Sequence, residues 1–277
     1  MHDTSWEQPP ERSNGFLIRL WRLTQLALHV LTGLIKAALL LPWVNRTRRT
    51  GMIHLWAIRL LDILHVRLSV KGLRPDVSTT NVMFIANHVS WLDIYLLMAV
   101  CPARFVSKSE VRTWPVIGWL TAQVGTLFIE RARRHDTARS SREVVDALNQ
   151  GDNVAVFPEG TTSDGTLLLP FHASLLQSVI NSQAQLWPVA LRYVHRDGTV
   201  NVAPAYAGDM SLLDSLRSIL AEPEIMAEMT YLEPLPIQGR SRRELAALAE
   251  MAIANALNLP VPCRKSGKSA DLPAALP

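Results

Sequence analysis

Cysteine is rare in this sequence, which contains only Cys101 and Cys263 among its 277 residues. Their positions fit neither a CxxC pair nor the ligand spacing of a structural metal site, and two cysteines do not make a disulfide framework. We therefore expect a reducing, cytosolic environment and no metal centre. The GxSxG motif of serine hydrolases and the HExxH motif of zinc proteases are also missing, which disfavours both of these mechanisms.

Charged residues are also few, at 19% of the chain, whereas apolar residues make up 48%. Lys and Arg together number 28 and Asp and Glu together 24, so the formal net charge is +4. This excess is too small to predict a nucleic-acid partner, but it suits an anionic membrane surface if the basic residues cluster. The length allows one large domain with an appendage.

The N-terminal part of the chain has no uninterrupted apolar run long enough to span a membrane. Residues 16–44 are strongly apolar, but basic side chains and a histidine are scattered through them. Residues 23–44 are long enough to cross a bilayer, yet Lys36 would then lie near the membrane centre at a considerable energetic cost. The segment has no small-residue cleavage site, so a signal peptide is not predicted.

A basic cluster at 45–49 (Asn-Arg-Thr-Arg-Arg) separates this segment from a second helical pattern at 52–68. Two helices joined by basic residues predict a membrane-associating helical hairpin over residues 16–72. Such a hairpin would lie in the interface at the cytoplasmic face of the inner membrane. A helix pair packed on the rest of the protein and a single membrane span both stay open as different interpretations of this segment.

Residues 73–259 alternate short apolar runs with helical patterns, which predicts an α/β domain with a mixed sheet flanked by helices. Segments 1–15 and 260–277 are polar or rich in proline, lysine and serine, and we expect them to be disordered. The predicted strands are 82–86, 103–107, 125–130, 153–157, 186–193, 200–206 and 224–232, and the predicted helices are 91–100, 115–123, 137–149, 173–183, 211–221 and 242–258.

The stretch 81–93 (NVMFIANHVSWLD) contains the first candidate site. Residues 82–86 are an apolar run suited to a buried strand, and Ser90 with Asp93 resembles a capping box that begins a helix. His88 would then lie at the carboxyl end of a strand, where α/β sheets place their ligands. Because helical side chains lean toward the N-terminus, the Asp93 carboxylate should approach the His88 imidazole.

A carboxylate on one nitrogen of His88 would fix the tautomer and leave the other nitrogen available as a general base. The alternative is that Asp93 only caps the helix and His88 only fills the loop.

Two further stretches end predicted strands with polar residues. Arg131 follows the strand 125–130 and could bind an anionic head group bidentately; the alternative is a solvated turn. The strand 153–157 leads into Pro158-Glu159-Gly160. Gly160 permits close approach of a ligand to backbone N–H groups, and Glu159 could orient a substrate hydroxyl or pair with Arg131. The alternative is an ordinary glycine-containing loop.

Together these stretches resemble the glycerolipid acyltransferase family, whose type members are the 1-acylglycerol-3-phosphate acyltransferases. Residues 87–93 match the NHxxxxD motif of that family, and 157–161 match its FPEGT motif. Gly125, Phe128 and Arg131 match its GxxFxxR motif, and 187–189 (Trp-Pro-Val) is similar to its fourth motif, a proline at the edge of a strand. The order and spacing agree over roughly residues 80 to 192.

The resemblance implies an O-acyltransferase without a cofactor or a metal. His88, oriented by Asp93, would deprotonate the hydroxyl of a lysolipid, which attacks the thioester of acyl-CoA or acyl carrier protein. The expected acceptor is 1-acyl-sn-glycerol-3-phosphate. The residues implied to bind its head group are Arg131, Glu159, Gly160 and Thr161.

The sequence departs from the family at two positions. Thr162 stands where the family often has Arg, and His172 stands where it usually has Lys. The segment 162–165 (Thr-Ser-Asp-Gly) is similar to lyso-ornithine-lipid acyltransferases, so a lyso-ornithine lipid is the alternative acceptor. A catalytically silent membrane-binding relative and a thioester hydrolase also stay open as functions of the chain.

Overall fold

Seven strands form a mixed sheet at the centre of the molecule. The computed structural model describes residues 13–75, 79–129 and 134–263, with 134–140 as backbone only. The strands are β1 (Val66–Gly72), β2 (Val82–Ala86), β3 (Arg104–Lys108), β4 (Leu127–Ile129), β5 (Val154–Val156), β6 (Gln185–Val194) and β7 (Ile225–Tyr231). Their order is β1-β7-β6-β2-β5-β3-β4, and all neighbours are parallel except β6 and β7.

Helices flank this sheet, so the predicted α/β class is confirmed. The helices are α1 (Phe16–Leu39), α2 (Arg46–Ile63), α3 (Leu92–Met98), α4 (Ile117–Gln123), α5 (Arg134–Asn149), α6 (Leu176–Ser182), α7 (Leu212–Ala221) and α8 (Arg242–Leu257), with a 3-10 helix at Ser109–Thr113. Of the predicted disordered ends, residues 1–12 and 264–277 lie outside the described residues.

β2 is buried on both faces, as its continuous apolar sequence predicts. Phe84 belongs to a core layer that includes residues of α2, α3 and α7. Met83 and Ile85 belong to the opposite layer, with residues of α5, α6 and α8. This division follows from the alternation of side chains along a strand. Because β2 stands in the middle of the strand order, the loop that follows it begins in the middle of the sheet.

The N-terminal residues form two helices, but the second helix differs from its prediction. The helix predicted at 52–68 ends at Ile63, and residues 66–72 form β1 instead. His65 has a positive φ of 56° at this break. Val66, Leu68 and Val70 alternate with polar residues, and this period of two fits a strand that pairs with β7. Part of the expected hairpin therefore belongs to the sheet.

α1 carries apolar residues on two opposite sides. At about 100° per residue, its buried residues form one stripe, and the exposed side chains of the second stripe lie across the helix from it. The buried stripe is Arg22, Leu26, Gly33 and Ala37, and the exposed stripe is Leu17, Trp21, Leu28 and Ile35. None of the described helices combines the length and the apolarity that a membrane crossing requires.

The strand predicted at 200–206 is wrong. This segment forms turns after β6, with a single bridge between Val194 and Val200. Pro204 lacks the N–H that a strand would use, and the Asn201 side chain accepts from the N–H of Ala203 at 2.9 Å, as in an Asx turn. The segment instead packs on the loop after β2, because the N–H of Tyr206 donates to the Val89 carbonyl at 2.9 Å.

Candidate active site

The His88 imidazole and the Asp93 carboxylate meet in the connection between β2 and α3. Nδ1 of His88 lies 2.8 Å from Oδ2 of Asp93. The Asp93 side chain is fully buried, whereas 18% of the His88 side chain is exposed. Only half of the predicted capping box forms. The Asp93 carboxylate accepts from the N–H of Ser90, but the Ser90 hydroxyl accepts from the N–H of Leu92 and not from that of Asp93. A buried carboxylate is thus paired with an imidazole that a substrate can reach.

Four donors converge on the two oxygens of Asp93. Oδ2 accepts from His88 and from the backbone N–H groups of Val89, at 2.7 Å, and Ser90, at 2.9 Å. Oδ1 accepts from the phenol hydroxyl of Tyr193 at 2.6 Å. A carboxyl group that meets only donors is satisfied as a carboxylate. The proton shared with His88 then belongs to Nδ1, and Nε2 is left as the acceptor.

An aromatic contact on the face of the His88 ring also fixes the orientation of the ring. Its plane stacks on the Phe157 ring with centroids 3.8 Å apart and an angle of 6°. Phe157 in turn lies 5.9 Å from the ring of Phe105. Among the described residues, none forms a hydrogen bond with Nε2 of His88. The stack and the Asp93 contact together hold the ring while its second nitrogen stays available.

Glu159 supports the backbone of the His88 loop. Its carboxylate accepts from the N–H of His88 at 2.7 Å and from the N–H of Leu169 at 3.1 Å, and only 4% of the residue is exposed. Burial raises the pKa of Glu159 to about 7, and the nearby Asp93 and Glu250 carboxyls add to this, although the two N–H donors lower the pKa. Glu159 thus joins the His88 loop to the loop at Leu169, and its predicted contact with a head group stays a prediction.

The glycine loop closes over the same connection. Gly160 has a φ of 73°, and its N–H donates to the Phe157 carbonyl at 3.1 Å, so this N–H does not point into open space as expected. Thr161 is exposed. The N–H of Ser163 donates to the His88 carbonyl at 2.9 Å. The loop therefore holds the His88 carbonyl, whereas Glu159 holds the His88 N–H.

Thr162 and His172, the two positions at which the sequence departs from the family, have separate environments. Arg131 lies outside the described residues. The Thr162 hydroxyl donates to the Tyr206 carbonyl. The His172 side chain is exposed, and its N–H donates to the Pro158 carbonyl at 2.9 Å. The predicted role of Arg131 stays a prediction.

Three contributing residues were missed among the predicted site residues. Phe157 was recognised only as the first residue of the FPEGT motif, although it is the stacking partner of His88. Asn87 bridges to β6, since its amide makes two 2.8 Å hydrogen bonds with the backbone of Leu191. Tyr193 reaches Asp93 from β6. A tyrosine inside an apolar strand signals that its hydroxyl needs a buried partner, but the sequence does not say which one.

Comparisons with known proteins identify the family of the chain. A model of the Acyltransferase family matches residues 67–192. The chain is 39% identical over 202 residues to a lyso-ornithine lipid O-acyltransferase of Pseudomonas aeruginosa, covering 73% of this chain and 76% of that protein. It is 41% identical over 172 residues to a 1-acyl-sn-glycerol-3-phosphate acyltransferase of Neisseria gonorrhoeae, covering 62% of this chain and 67% of that one.

A solved structure shares the fold. The crystal structure of the 1-acyl-sn-glycerophosphate (LPA) acyltransferase PlsC from Thermotoga maritima aligns with a TM-score of 0.65 at 22% identity, covering 87% of this chain and 94% of that chain. The family model and the named relatives together define the class of the protein, which is an acyl-transferring enzyme. The chain belongs to the acyltransferase family.

Proposed function

We propose that this protein transfers a fatty acyl group from a thioester to the free hydroxyl of a lysolipid. The observation that carries this proposal is the 2.8 Å contact between His88 Nδ1 and the buried Asp93 carboxylate. This contact leaves Nε2 as a base toward the accessible side of the ring. The acceptors named for the relatives, a lyso-ornithine lipid and 1-acyl-sn-glycerol-3-phosphate, both carry such a hydroxyl.

The reaction needs one proton to move twice. Nε2 of His88 takes the proton of the acceptor hydroxyl while the hydroxyl oxygen forms a bond to the thioester carbonyl carbon. The tetrahedral intermediate then breaks its C–S bond, and the thiolate recovers the proton from His88. The negative charge on the carbonyl oxygen requires N–H donors, for which the exposed turn at Thr161 is our candidate. Acyl-CoA or acyl carrier protein supplies the thioester, and the mechanism uses no cofactor.

For the head group, the loop 159–166 favours a lyso-ornithine lipid. This loop contains no Lys or Arg, and Thr162, at the position where the family often has Arg, directs its hydroxyl to a carbonyl. Asp164 is exposed, and hydrogen bonds from Thr166 hold the pKa of its carboxyl below the usual value. An ionised carboxylate beside the site attracts an ammonium group and repels a phosphate.

The second candidate acceptor is 1-acyl-sn-glycerol-3-phosphate. Lys108 ends β3 and pairs in register with Ile129 at the end of β4, two residues before Arg131 in the sequence. Lys108 is exposed, so its ammonium group is a candidate cation for a phosphate at this edge of the sheet. A phosphate needs such cations when water is excluded.

Attachment to the cytoplasmic face of the membrane through α1 and α2 is part of the proposal. Large apolar side chains on α1 and its exit are strongly exposed, including Leu17 at 77% and Trp43 at 86%. Of the expected basic cluster, Arg46 pairs with Asp152 and Arg49 donates to the Gln123 carbonyl. The electrostatic contribution of this cluster is therefore smaller than its composition predicts, and apolar burial is the main attraction.

The test uses the full chain purified in lipid, with labelled acyl-CoA and acyl carrier protein thioesters. Each donor is offered with a lyso-ornithine lipid, with 1-acylglycerol-3-phosphate and with no acceptor, and products are resolved by mass. We expect diacylated product, preferentially from the lyso-ornithine lipid, and about 10²–10⁴-fold slower formation of this product with His88→Ala. Release of fatty acid without an acceptor would indicate a hydrolase, and no turnover under any condition would contradict the proposed function.

A further inference from the structure

Among the described residues, Tyr193 is the one hydrogen-bond partner of Asp93 that comes from a distant part of the chain. It lies on β6, 100 residues from Asp93, beyond the residues that the family model matches. Its hydroxyl donates to Oδ1 of Asp93 at 2.6 Å, whereas His88 and two backbone groups occupy Oδ2. Only 2% of Tyr193 and none of Asp93 is exposed.

We propose that Tyr193 is a positioning residue that acts on His88 through the two oxygens of Asp93. Its hydroxyl locks the rotation of the carboxylate and draws negative charge toward Oδ1, away from the imidazole. This proposal rests on the acyltransferase function proposed above, in which His88 is the base. It concerns a side chain that none of the four sequence motifs contains.

The chemistry of the Tyr193 hydroxyl suits a permanent donor. Burial raises the pKa of Tyr193 well above its usual value, and the Asp93 charge raises it further. The hydroxyl therefore keeps its proton at any pH at which the enzyme works. Short O–H···O⁻ hydrogen bonds of this kind are stronger than neutral ones, and supporting partners of a functional side chain commonly affect activity without touching the ligand.

Removing the Tyr193 hydroxyl should shift the pH dependence of the rate in one defined direction. Asp93 would then present more negative charge to His88. This charge stabilises the protonated ring, so that the neutral imidazole needed as the base is lost at a higher pH. The acidic limb of the pH–rate profile should move to higher pH. Glu159, after β5, accepts from the N–H of His88 at 2.7 Å. It titrates near neutral pH with a pKa of about 7, which is raised by burial and further by Asp93 and by Glu250 on α8.

The ring signal of His88 must therefore be followed directly, in addition to the rate. NMR titration of the histidine rings does this, with His88→Gln identifying the signal. Because this measurement needs no substrate, it tests the inference even if the proposed reaction fails.

Tyr231 supplies a matched control. It lies on β7, the strand next to β6, and is only 1% exposed. Its hydroxyl has no hydrogen-bond partner among the described residues, and its ring meets Phe84 edge-on at 5.9 Å. Tyr231→Phe therefore deletes the same atom from the same kind of position without touching the Asp93 carboxylate.

The experiment compares Tyr193→Phe, Tyr231→Phe and the wild type as full chains. In Tyr193→Phe we expect the His88 titration midpoint and the acidic limb of kcat to rise by about half to one pH unit. We expect the plateau of kcat to fall about tenfold, with little change in KM for either substrate. Tyr231→Phe should match the wild type in all three measurements.

Two further variants separate positioning from packing. In an Asp93→Asn background, adding Tyr193→Phe should no longer move the His88 midpoint, because the carboxylate that couples the two residues is gone. Replacement of Tyr193 by 3-fluorotyrosine keeps the ring and strengthens the donor, so the midpoint should move to lower pH, and this variant serves if Tyr193→Phe does not fold. A His88 midpoint that is unchanged in Tyr193→Phe, or in the 3-fluorotyrosine protein, would overturn the inference.

Discussion

At the scale of single residues, His88 is held by contacts from separate motifs. Asp93 binds Nδ1, Phe157 stacks on the ring, Glu159 accepts from the backbone N–H and Ser163 donates to the carbonyl. The FPEGT motif therefore contributes two of the contacts that hold His88, through Phe157 and Glu159. Each of these contacts restrains a different degree of freedom, so that the Nε2 lone pair has a fixed direction before any substrate binds.

Variants of His88 and Asp93 should separate catalysis from stability. His88→Ala removes the base from a partly exposed loop, so we expect activity to fall by about 10²–10⁴-fold with little loss of stability. Asp93→Asn should lose activity comparably and also unfold more easily, by about 1–3 kcal/mol, because an amide cannot satisfy four buried donors. Denaturant unfolding and acyl-transfer assays on both variants measure this difference. Near-normal turnover in either folded variant would remove His88 and Asp93 from the mechanism.

Glu159 should make stability depend on pH. Its pKa of about 7 in the folded protein lies above the usual value of about 4.3, so the folded state binds an extra proton between these values. The stability from this proton is complete below the usual carboxyl pKa and is lost as the pH rises through about 7, by up to about 4 kcal/mol. The melting temperature of the wild type relative to Glu159→Gln should therefore fall between pH 5 and pH 8.

Glu244 is the control for this pH dependence. It forms a capping box with Ser241 at the start of α8, and the Ser241 N–H lowers the pKa of its carboxyl. The stability that Glu244 contributes is therefore present above the usual carboxyl pKa and is lost only as the pH falls below it. Glu244→Gln should show no slope relative to the wild type between pH 5 and pH 8. A flat difference for Glu159→Gln as well would contradict the raised pKa.

At the scale of the elements, the sequence predicted the contacts between residues that are close in sequence and missed those that depend on the order of the strands. The His88–Asp93 contact spans five residues and follows from a strand, a turn and the first turn of a helix. The Tyr193–Asp93 contact spans 100 residues and depends on which strands become neighbours, which no local pattern states. β1 was missed because Leu64 and Leu68 continue a helical spacing, whereas pairing with β7 selects the alternation of residues 66–72.

The crossing of α1 and α2 depends on Gly33. A Cβ atom at this position would lie 2.6 Å from Nε1 of Trp56, and Trp56 cannot easily move because it stacks on His29 at 4.6 Å. Gly51, in α2, has open space where its Cβ would be. We expect Gly33→Ala to destabilise the protein by about 1–3 kcal/mol through overpacking.

Gly51→Ala should instead stabilise the protein by about 0.5–1 kcal/mol through helix propensity. Thermal unfolding of both variants tests this contrast, since the same substitution is made in each helix. Equal shifts for the two glycines would show that α1 does not pack on Trp56 as described.

At the scale of the whole molecule, α1 is joined firmly to the catalytic part. The buried Arg22 guanidinium donates to the carbonyls of Glu222 and Pro223 at 2.8 and 2.9 Å. The Asn14 amide donates to the carbonyls of Leu220 and Glu222 at 3.1 and 2.7 Å. These contacts link the start of α1 to the end of α7. The exposed apolar stripe of α1 therefore has a fixed orientation relative to the sheet, and through it to His88.

A deletion is a poor test of membrane attachment in this fold. A chain beginning near Lys71 would lose most of β1, whose pairing covers the edge of β7. It would also lose Leu60 and Leu64, which belong to the core. Weaker vesicle binding by such a chain would not distinguish a lost anchor from a damaged fold. Substitutions confined to exposed side chains avoid this problem.

The sharper test replaces two exposed leucines of α1, Leu17 and Leu28, with serine. They are 77% and 58% exposed and lie on the same stripe, so the fold should tolerate the change. Each loses about 1.5–3 kcal/mol of apolar transfer energy, which predicts at least tenfold weaker binding per leucine to phosphatidylethanolamine–phosphatidylglycerol vesicles. Serine at Leu73 and Val261, which are 65% and 47% exposed outside both helices, should leave sedimentation with vesicles unchanged. Equal binding by the two double variants would show that α1 is not the anchor.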